Sequence, residues 1–382
     1  MQKYFRIVKR PETNARQNLL IWAGAAALAL IAGAAFLAAM GQNPLEIYRM
    51  IVQGAFVGSR RNPFSAIEAT IIKFVPLLIV SLGLTLAFQM RFWNIGGEGQ
   101  MIMGAIFASA FAIYTPKMPQ PLLAVLMLLA GCLAGGLWAL IPAICKLKFG
   151  ASETLFTLMM NYVAFYLIVY LQSGPWQRTP GFPSVGRFDE NIRLPKLFGV
   201  HIGWVIALVL IVLVWAYLRH TKQGYELRVV GESQPTARYA GMRVGRVVLR
   251  TMFLSGALCG LAGMVQVAGI DYTLSTGVTG NVGFTGITLA WLAQLNPPAI
   301  AVLALLFSVL EKGSGSIPPD MISAEAAKVL QSILLFSLLI CEFFRRYSIK
   351  VSLGKTAAVP VAPIEVKPAA PAEPAQEEGS AV

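Results

Sequence analysis

Few residues in this sequence are of a type that does chemistry. The two histidines, His201 and His220, each stand at the edge of an apolar run, with no nucleophile or metal-ligand residue at useful spacing. The four cysteines, Cys132, Cys145, Cys259 and Cys341, lie in or beside apolar runs, and no two are spaced as a zinc site or a disulfide frame. No Gly-x-x-x-x-Gly-Lys-Ser/Thr loop is present to cradle a nucleotide phosphate. The residues therefore point to no catalytic centre, no metal and no cofactor in this chain. Two polar stretches remain. In Gln89–Gln100, the carboxylate Glu98 stands among Gly96, Gly97 and Gly99, with Asn94 and Gln100 beside it. Three glycines there suggest an irregular turn before a span. It either lines a pathway or its gate, or is a tight hairpin that needs glycine for its geometry. Asn161 belongs with these residues as a polar group inside an apolar run that faces a cavity. The second stretch, His220–Arg250, is the most basic internal segment. Ser233 is placed to cap a short helix, Pro235 sits in its first turn, and Gly241 ends it with φ > 0.

These stretches must be positioned by helices in a membrane. Of 382 residues 56% are hydrophobic and only 13% charged, with a mean hydropathy of +0.65; a soluble domain carries about 25% charged residues. The fold class expected is an all-α polytopic membrane protein. The net charge of +13 does not indicate nucleic acid, because the basic residues fall in loops between apolar runs, where membrane orientation needs them. Residues 1–18 carry Lys3, Arg6, Lys9, Arg10 and Arg16 and read as a cytoplasmic N-terminal segment. The first apolar run, residues 19–39, is long enough to span and has no cleavage site of a removed leader. Asn43-Pro44 opens a short amphipathic helix to Phe56 with Ile47, Met50, Ile51 and Val52 as its apolar residues. Further spans are expected at 66–88 with Pro76 inside, 101–114, 122–145, from Ser152 and Glu153 onward, 202–218, 251–270 and 324–344. The short runs 287–295 and 299–310 form either two spans or one broken, re-entrant element. Gly131-x-x-x-Gly135 and Gly256-x-x-x-Gly260 mark close-packing faces. This gives about ten transmembrane helices, or eight with a re-entrant pair, over residues 19–345. Both termini are expected in the cytoplasm of a cell (inner) membrane protein, and 346–382 reads as a disordered Ala/Pro-rich tail.

Four segments resemble a known family. They are Asn43-Pro-Leu-Glu-Ile-Tyr-Arg49, Phe92-Trp-Asn-Ile-Gly-Gly-Glu-Gly-Gln100, Glu153-Thr-Leu155 with Met160-Asn161-Tyr162, and Glu226-Leu-Arg-Val-Val-Gly-Glu-Ser-Gln-Pro-Thr-Ala-Arg-Tyr-Ala-Gly241. They are similar to the simple-sugar and nucleoside permeases of the branched-chain amino acid/ribose group of ATP-binding cassette (ABC) importers. The resemblance runs from about residue 40 to 345. It implies a type II importer fold and three partners: an ATP-binding cassette ATPase subunit, a second permease subunit and an extracytoplasmic substrate-binding (lipo)protein. It also implies that Gly224, Glu226, Arg228, Gly231, Glu232, Ala237, Arg238 and Gly241 couple the chain to the ATPase. Ala237 and Gly241 are expected to be small for close approach to that partner. The competing reading from the residues is an ion-coupled secondary transporter of a small polar solute. Such a carrier keeps ionisable groups at mid-membrane, and the spans at 19–39, 122–145, 202–218 and 251–270 have none in their cores.

Overall fold

The computed structural model describes residues 4–9, 15–59, 62–319 and 321–352. Helix α1 (Ala15–Ala39) ends at Gly41, which takes φ 77°, and the chain turns through 116° into α2 (Pro44–Phe56). The local residues set this turn. Glycine tolerates the left-handed backbone, and Asn43 caps α2 by accepting from the Leu45 N–H at 3.1 Å. The amphipathic reading of α2 is right, with a narrower face: Ile47, Ile51 and Ala55 are buried, whereas Val52 is exposed.

Helix α3 (Ser65–Gln89) is the centre of the bundle. Its most apolar window is 78% buried, against 22% in α6 and α7, so α3 is enclosed and those helices lie at the periphery. A helix apolar on every side belongs in such a position. Pro76 is accommodated without ending it. Next in the chain are α4 (Gly97–Tyr114), α5 (Gln120–Phe149), α6 (Glu153–Ser173) and α7 (Gly203–His220); α7 packs on α3, whereas α5 and α6 pack on α4. Two short helices follow, α8 (Lys222–Glu232) and α9 (Gln234–Tyr239), and then α10 (Val244–Val265) with a π-helical extension to Asp271. The bundle closes with α11 (Val282–Leu292), α12 (Pro297–Ser314) and α13 (Ala324–Arg346). The two predicted glycine faces meet each other: a Cβ at Gly260 would run into the Gly131 carbonyl, and one at Gly135 into the Gly256 carbonyl. That absence of side chains lets α5 and α10 approach backbone to backbone.

Six helices among the described residues are long and apolar enough to cross a membrane: α3, α5, α6, α7, α10 with its extension, and α12; the bent α1–α2 pair makes seven. The expected count of about ten is not reached by that measure. Of the two runs left open, α12 has the length of a span, and α11, with 11 residues, is a short helix reached through the non-helical stretch 273–281. Two short strands pair near the ends of the described residues. Strand β1 (Tyr4–Lys9) pairs antiparallel with the last strand (Tyr347–Ser352), with Arg6 opposite Lys350. The segment expected to be a tail thus opens with a strand; residues 353–382 lie outside the described residues.

Candidate functional site

The irregular turn ends at Gly96, and α4 takes up the other two glycines. Gly96 has φ −80°, and Gly97 and Gly99 lie in the first turn of α4, so none of the three takes a left-handed backbone. The left-handed residue is Arg91, φ 55°, just past the end of α3. The glycines serve close approach instead. A Cβ at Gly99 would lie 2.9 Å from Asn161 Oδ1 and 3.0 Å from Asn161 Cα, and one at Gly97 would lie 3.1 Å from the Leu84 side chain.

Asn94, Gly96, Gln100 and Asn161 come together in one buried network. Asn94 Nδ2 donates to Gln100 Oε1 and to Ser255 Oγ, both at 3.2 Å. Asn94 Oδ1 accepts from Gln100 Nε2 at 3.0 Å and from the Gly96 N–H at 3.1 Å. Asn161 Oδ1 accepts from the Gly99 N–H at 2.8 Å, and its Nδ2 donates to the Ile95 carbonyl at 3.0 Å. Thr157 Oγ1 accepts from the Ile95 N–H at 3.2 Å. Three helices are tied to the 90–96 turn by this network: α4, α6 through Thr157 and Asn161, and α10 through Ser255. Asn161 faces inward from α6, while Tyr162, Tyr166 and Tyr170 on the same helix are exposed. Glu98 points elsewhere. It is buried, and its Oε2 accepts from the Gly283 N–H at 2.7 Å, so the carboxylate lies on the N-terminus of α11, where a negative charge is favoured. The chemistry available is therefore hydrogen bonding and helix fastening. Glu153 stands in the first turn of α6 as expected and pairs with Lys146 at 2.5 Å; Ser152 occupies the cap position without a side-chain cap bond.

The stretch 220–250 forms two capped helices. Thr221 accepts from the Gly224 N–H at 3.0 Å, and Ser233 accepts from the Thr236 N–H at 3.3 Å. Pro235 is in the first turn of α9, and Gly241 follows it with φ 77°. The eight residues expected to couple to a partner divide by face. Gly224 is buried against Tyr217 and Leu218, and a Cβ at Gly231 would strike the Gln89 carbonyl. Glu226 pairs with Arg250 of α10 at 3.2 Å. Ala237 is 0% exposed and belongs to the bundle core, which corrects the expectation that it meets a partner directly. Arg228, Glu232, Arg238 and Gly241 are exposed. Tyr239, missed in the sequence, is 98% exposed at the end of α9. No sequence signal marked it, because packing sets which face of α9 turns outward.

A second missed group lies at the opposite end of the bundle. Lys73 pairs with Glu311, joining α3 to α12. Both line a cavity of about 720 Å³ together with Asn281, Thr285, Lys328 and Gln331. A lysine eight residues inside an apolar helix was the available signal, since an ionisable residue in a span marks a pathway.

Comparison with known proteins agrees with this architecture. Residues 66–340 match the family described as branched-chain amino acid transport system / permease component. The chain is 30% identical over 342 residues to the glucose ABC transporter permease protein TsgB13 of Haloferax volcanii, covering 86% of this chain and 88% of the relative. It is 29% identical to the guanosine ABC transporter permease protein NupP of Bacillus subtilis, covering 88% and 96%. Against the nucleoside ABC transporter permease protein NupB of Lactococcus lactis subsp. cremoris it is 28% identical, covering 91% and 96%.

Proposed function

Because the chain belongs to the family of branched-chain amino acid transport system permease components, we propose that it is the permease subunit through which an ABC importer moves a nucleoside or simple sugar. Nucleosides lead because two of the relatives named above are nucleoside or guanosine permeases and one is a glucose permease. In this reading a separate ATPase docks on α8 and α9 at the cytoplasmic face, a second permease subunit completes the path, and a substrate-binding protein delivers cargo at the opposite end. Both chain termini are then cytoplasmic.

The division of faces on α8 and α9 carries the reading. Their small residues pack inward on α3 and α7, and Glu226 holds α10, while Arg228, Glu232, Arg238 and Tyr239 face out. A partner gripping the outer face would move the near ends of α3, α7 and α10 as one body. Those three helices reach the opposite end, where Lys73, Glu311 and Asn281 line the cavity. The Asn94–Gln100–Asn161 network braces the α3–α4 turn during that motion.

The test is a purified complex of this chain with its second permease and ATPase in proteoliposomes. Nucleoside delivered by the binding protein should stimulate ATP hydrolysis and accumulate inside. Concentrative uptake driven by an ion gradient without the ATPase would refute the reading.

A further inference from the structure

Two cavities lie along α5. One, of about 570 Å³, opens at the α8–α9 end of the bundle. Arg91, Arg238, Arg243, Arg246 and Lys146 line it, with apolar Leu147 and Val248 beside them. Lys146 is neutralised by Glu153 at 2.5 Å. None of the four arginines makes an ion pair among the described residues. Arg91 stands at the cavity on a left-handed backbone, φ 55°, which a residue with a side chain adopts only at a cost. The wall also includes the first turn of α10, Val244–Arg246, which adds the partial positive charge of a helix start.

The other cavity, of about 720 Å³, is a groove between α4 and α5 with an apolar lining that includes Phe107, Phe111, Leu133, Leu137 and Ile141. A stripe of exposed residues joins the two. Leu129, Leu133, Leu137, Ile141, Ile144 and Leu147 follow one another on α5 at steps of four and three, one face of a helix. From Ile141 to Leu147 the axial distance is about 9 Å, at 1.5 Å per residue.

We propose that these cavities form one site for an anionic phospholipid, its headgroup phosphate among the arginines and an acyl chain in the α4–α5 groove. Charge and shape together select this occupant. A free phosphate would use the arginines and leave the groove idle. An acidic segment of a partner protein would meet the arginines but has no reason to follow an apolar groove into the bilayer. A phospholipid carries both chemistries in the order that α5 presents them, and basic pockets between membrane helices suit anionic headgroups. The proposal is independent of which cargo the permease moves.

The experiment uses the full chain, purified in detergent with phosphatidylglycerol or phosphatidylcholine, with lipid retention read by native mass spectrometry. The double variant R243Q/R246Q should lose phosphatidylglycerol by tenfold or more, since each basic residue near the headgroup is worth a several-fold factor, and should hold phosphatidylcholine as before. The charge-keeping R243K/R246K should restore retention. Leu137→Trp, at an exposed position in the groove, should weaken phosphatidylglycerol retention with the arginines intact. All three changes fall on exposed side chains, and size-exclusion profiles should match the parent. Equal phosphatidylglycerol retention in R243Q/R246Q would overturn the proposal. So would glycerol 3-phosphate displacing the lipid at equal concentration, which would mark a site for the free anion. In a parallel affinity capture with the ATPase, R243Q/R246Q that keeps the lipid but no longer holds the ATPase would overturn the proposal and show a protein-docking surface instead.

Discussion

Replacing Gly99 by alanine should destabilise the protein, and the same change at Gly97 should not. The two glycines are two residues apart in the first turn of α4 and differ in what a methyl group would meet. At Gly99 it would lie 2.9 Å from Asn161 Oδ1 and 3.0 Å from Asn161 Cα, which belongs to the α6 backbone. Relief requires α4 and α6 to separate. Overpacking of this kind costs about 1–3 kcal/mol. Separation also stretches the 2.8 Å bond from the Gly99 N–H to Asn161, worth about 1 kcal/mol. Against this, alanine gains roughly 0.5–1 kcal/mol over glycine in a helix. The net expectation is a loss of about 1–3.5 kcal/mol. At Gly97 the obstacle is the Leu84 side chain at 3.1 Å, whose terminal methyls can shift by a few tenths of an ångström. The helix gain then roughly balances the contact, and the net change is within about 0.5 kcal/mol of zero. Thermal unfolding of the two variants in one detergent, followed by size-exclusion of the surviving folded fraction, measures the difference. Equal midpoints would refute the reasoning, because they would mean that α4 and α6 are not held as close as the Asn161 network requires.

Tyr239→Ala should leave folding and insertion unchanged and reduce ATPase association and stimulated hydrolysis, whereas Ala237→Trp should damage the permease itself because Ala237 is 0% exposed; affinity capture with the ATPase, alongside an unfolding curve, separates the two. Lys73→Met should lower uptake with little loss of stability, since the Lys73 and Glu311 side chains are 41% and 42% exposed and such a pair is worth at most about 1 kcal/mol; uptake equal to the parent would remove the pair from the pathway. His201, just before α7, is held neutral: burial first, then Lys196, pulls its imidazole down from 6.5 to about 4. The unfolded chain therefore takes the proton first, so stability is full above about pH 6.5 and falls as the pH drops toward 4, by roughly 3 kcal/mol at 1.36 kcal/mol per unit. Neither ring nitrogen has a hydrogen-bond partner among the described residues, so His201→Phe should flatten that slope in melts across the range; an unchanged slope would assign it to other groups.

The positions of helix ends were legible because their causes are local. Asn43 with Pro44, Ser233 with Pro235, and Gly241 each act within about three residues, and the structure shows these caps and stops where the residues place them. The membrane class was legible for a similar reason, since a run of apolar residues either reaches the length of a span or does not. The glycine faces on α5 and α10 could be recognised singly, but nothing in either helix said that they meet. The role of the glycines at 96–99 stayed open in the sequence because an empty side chain serves two ends, backbone freedom and close approach, and only the neighbour decides between them. Here the neighbour is Asn161, 62 positions away.

Composition and helix punctuation were thus determined by the sequence on its own, each being a property of adjacent residues. The tertiary structure alone decided which face of α9 turns inward, burying Ala237 and exposing Tyr239. It also decided that Glu98 lies on the start of α11, 185 positions later, and that Lys73 finds Glu311 across 238. Such pairings depend on how helices of similar apolar content pack around α3. Any apolar face satisfies the membrane equally well, so the choice of neighbour rests on shape and on the few polar groups that must find partners away from water.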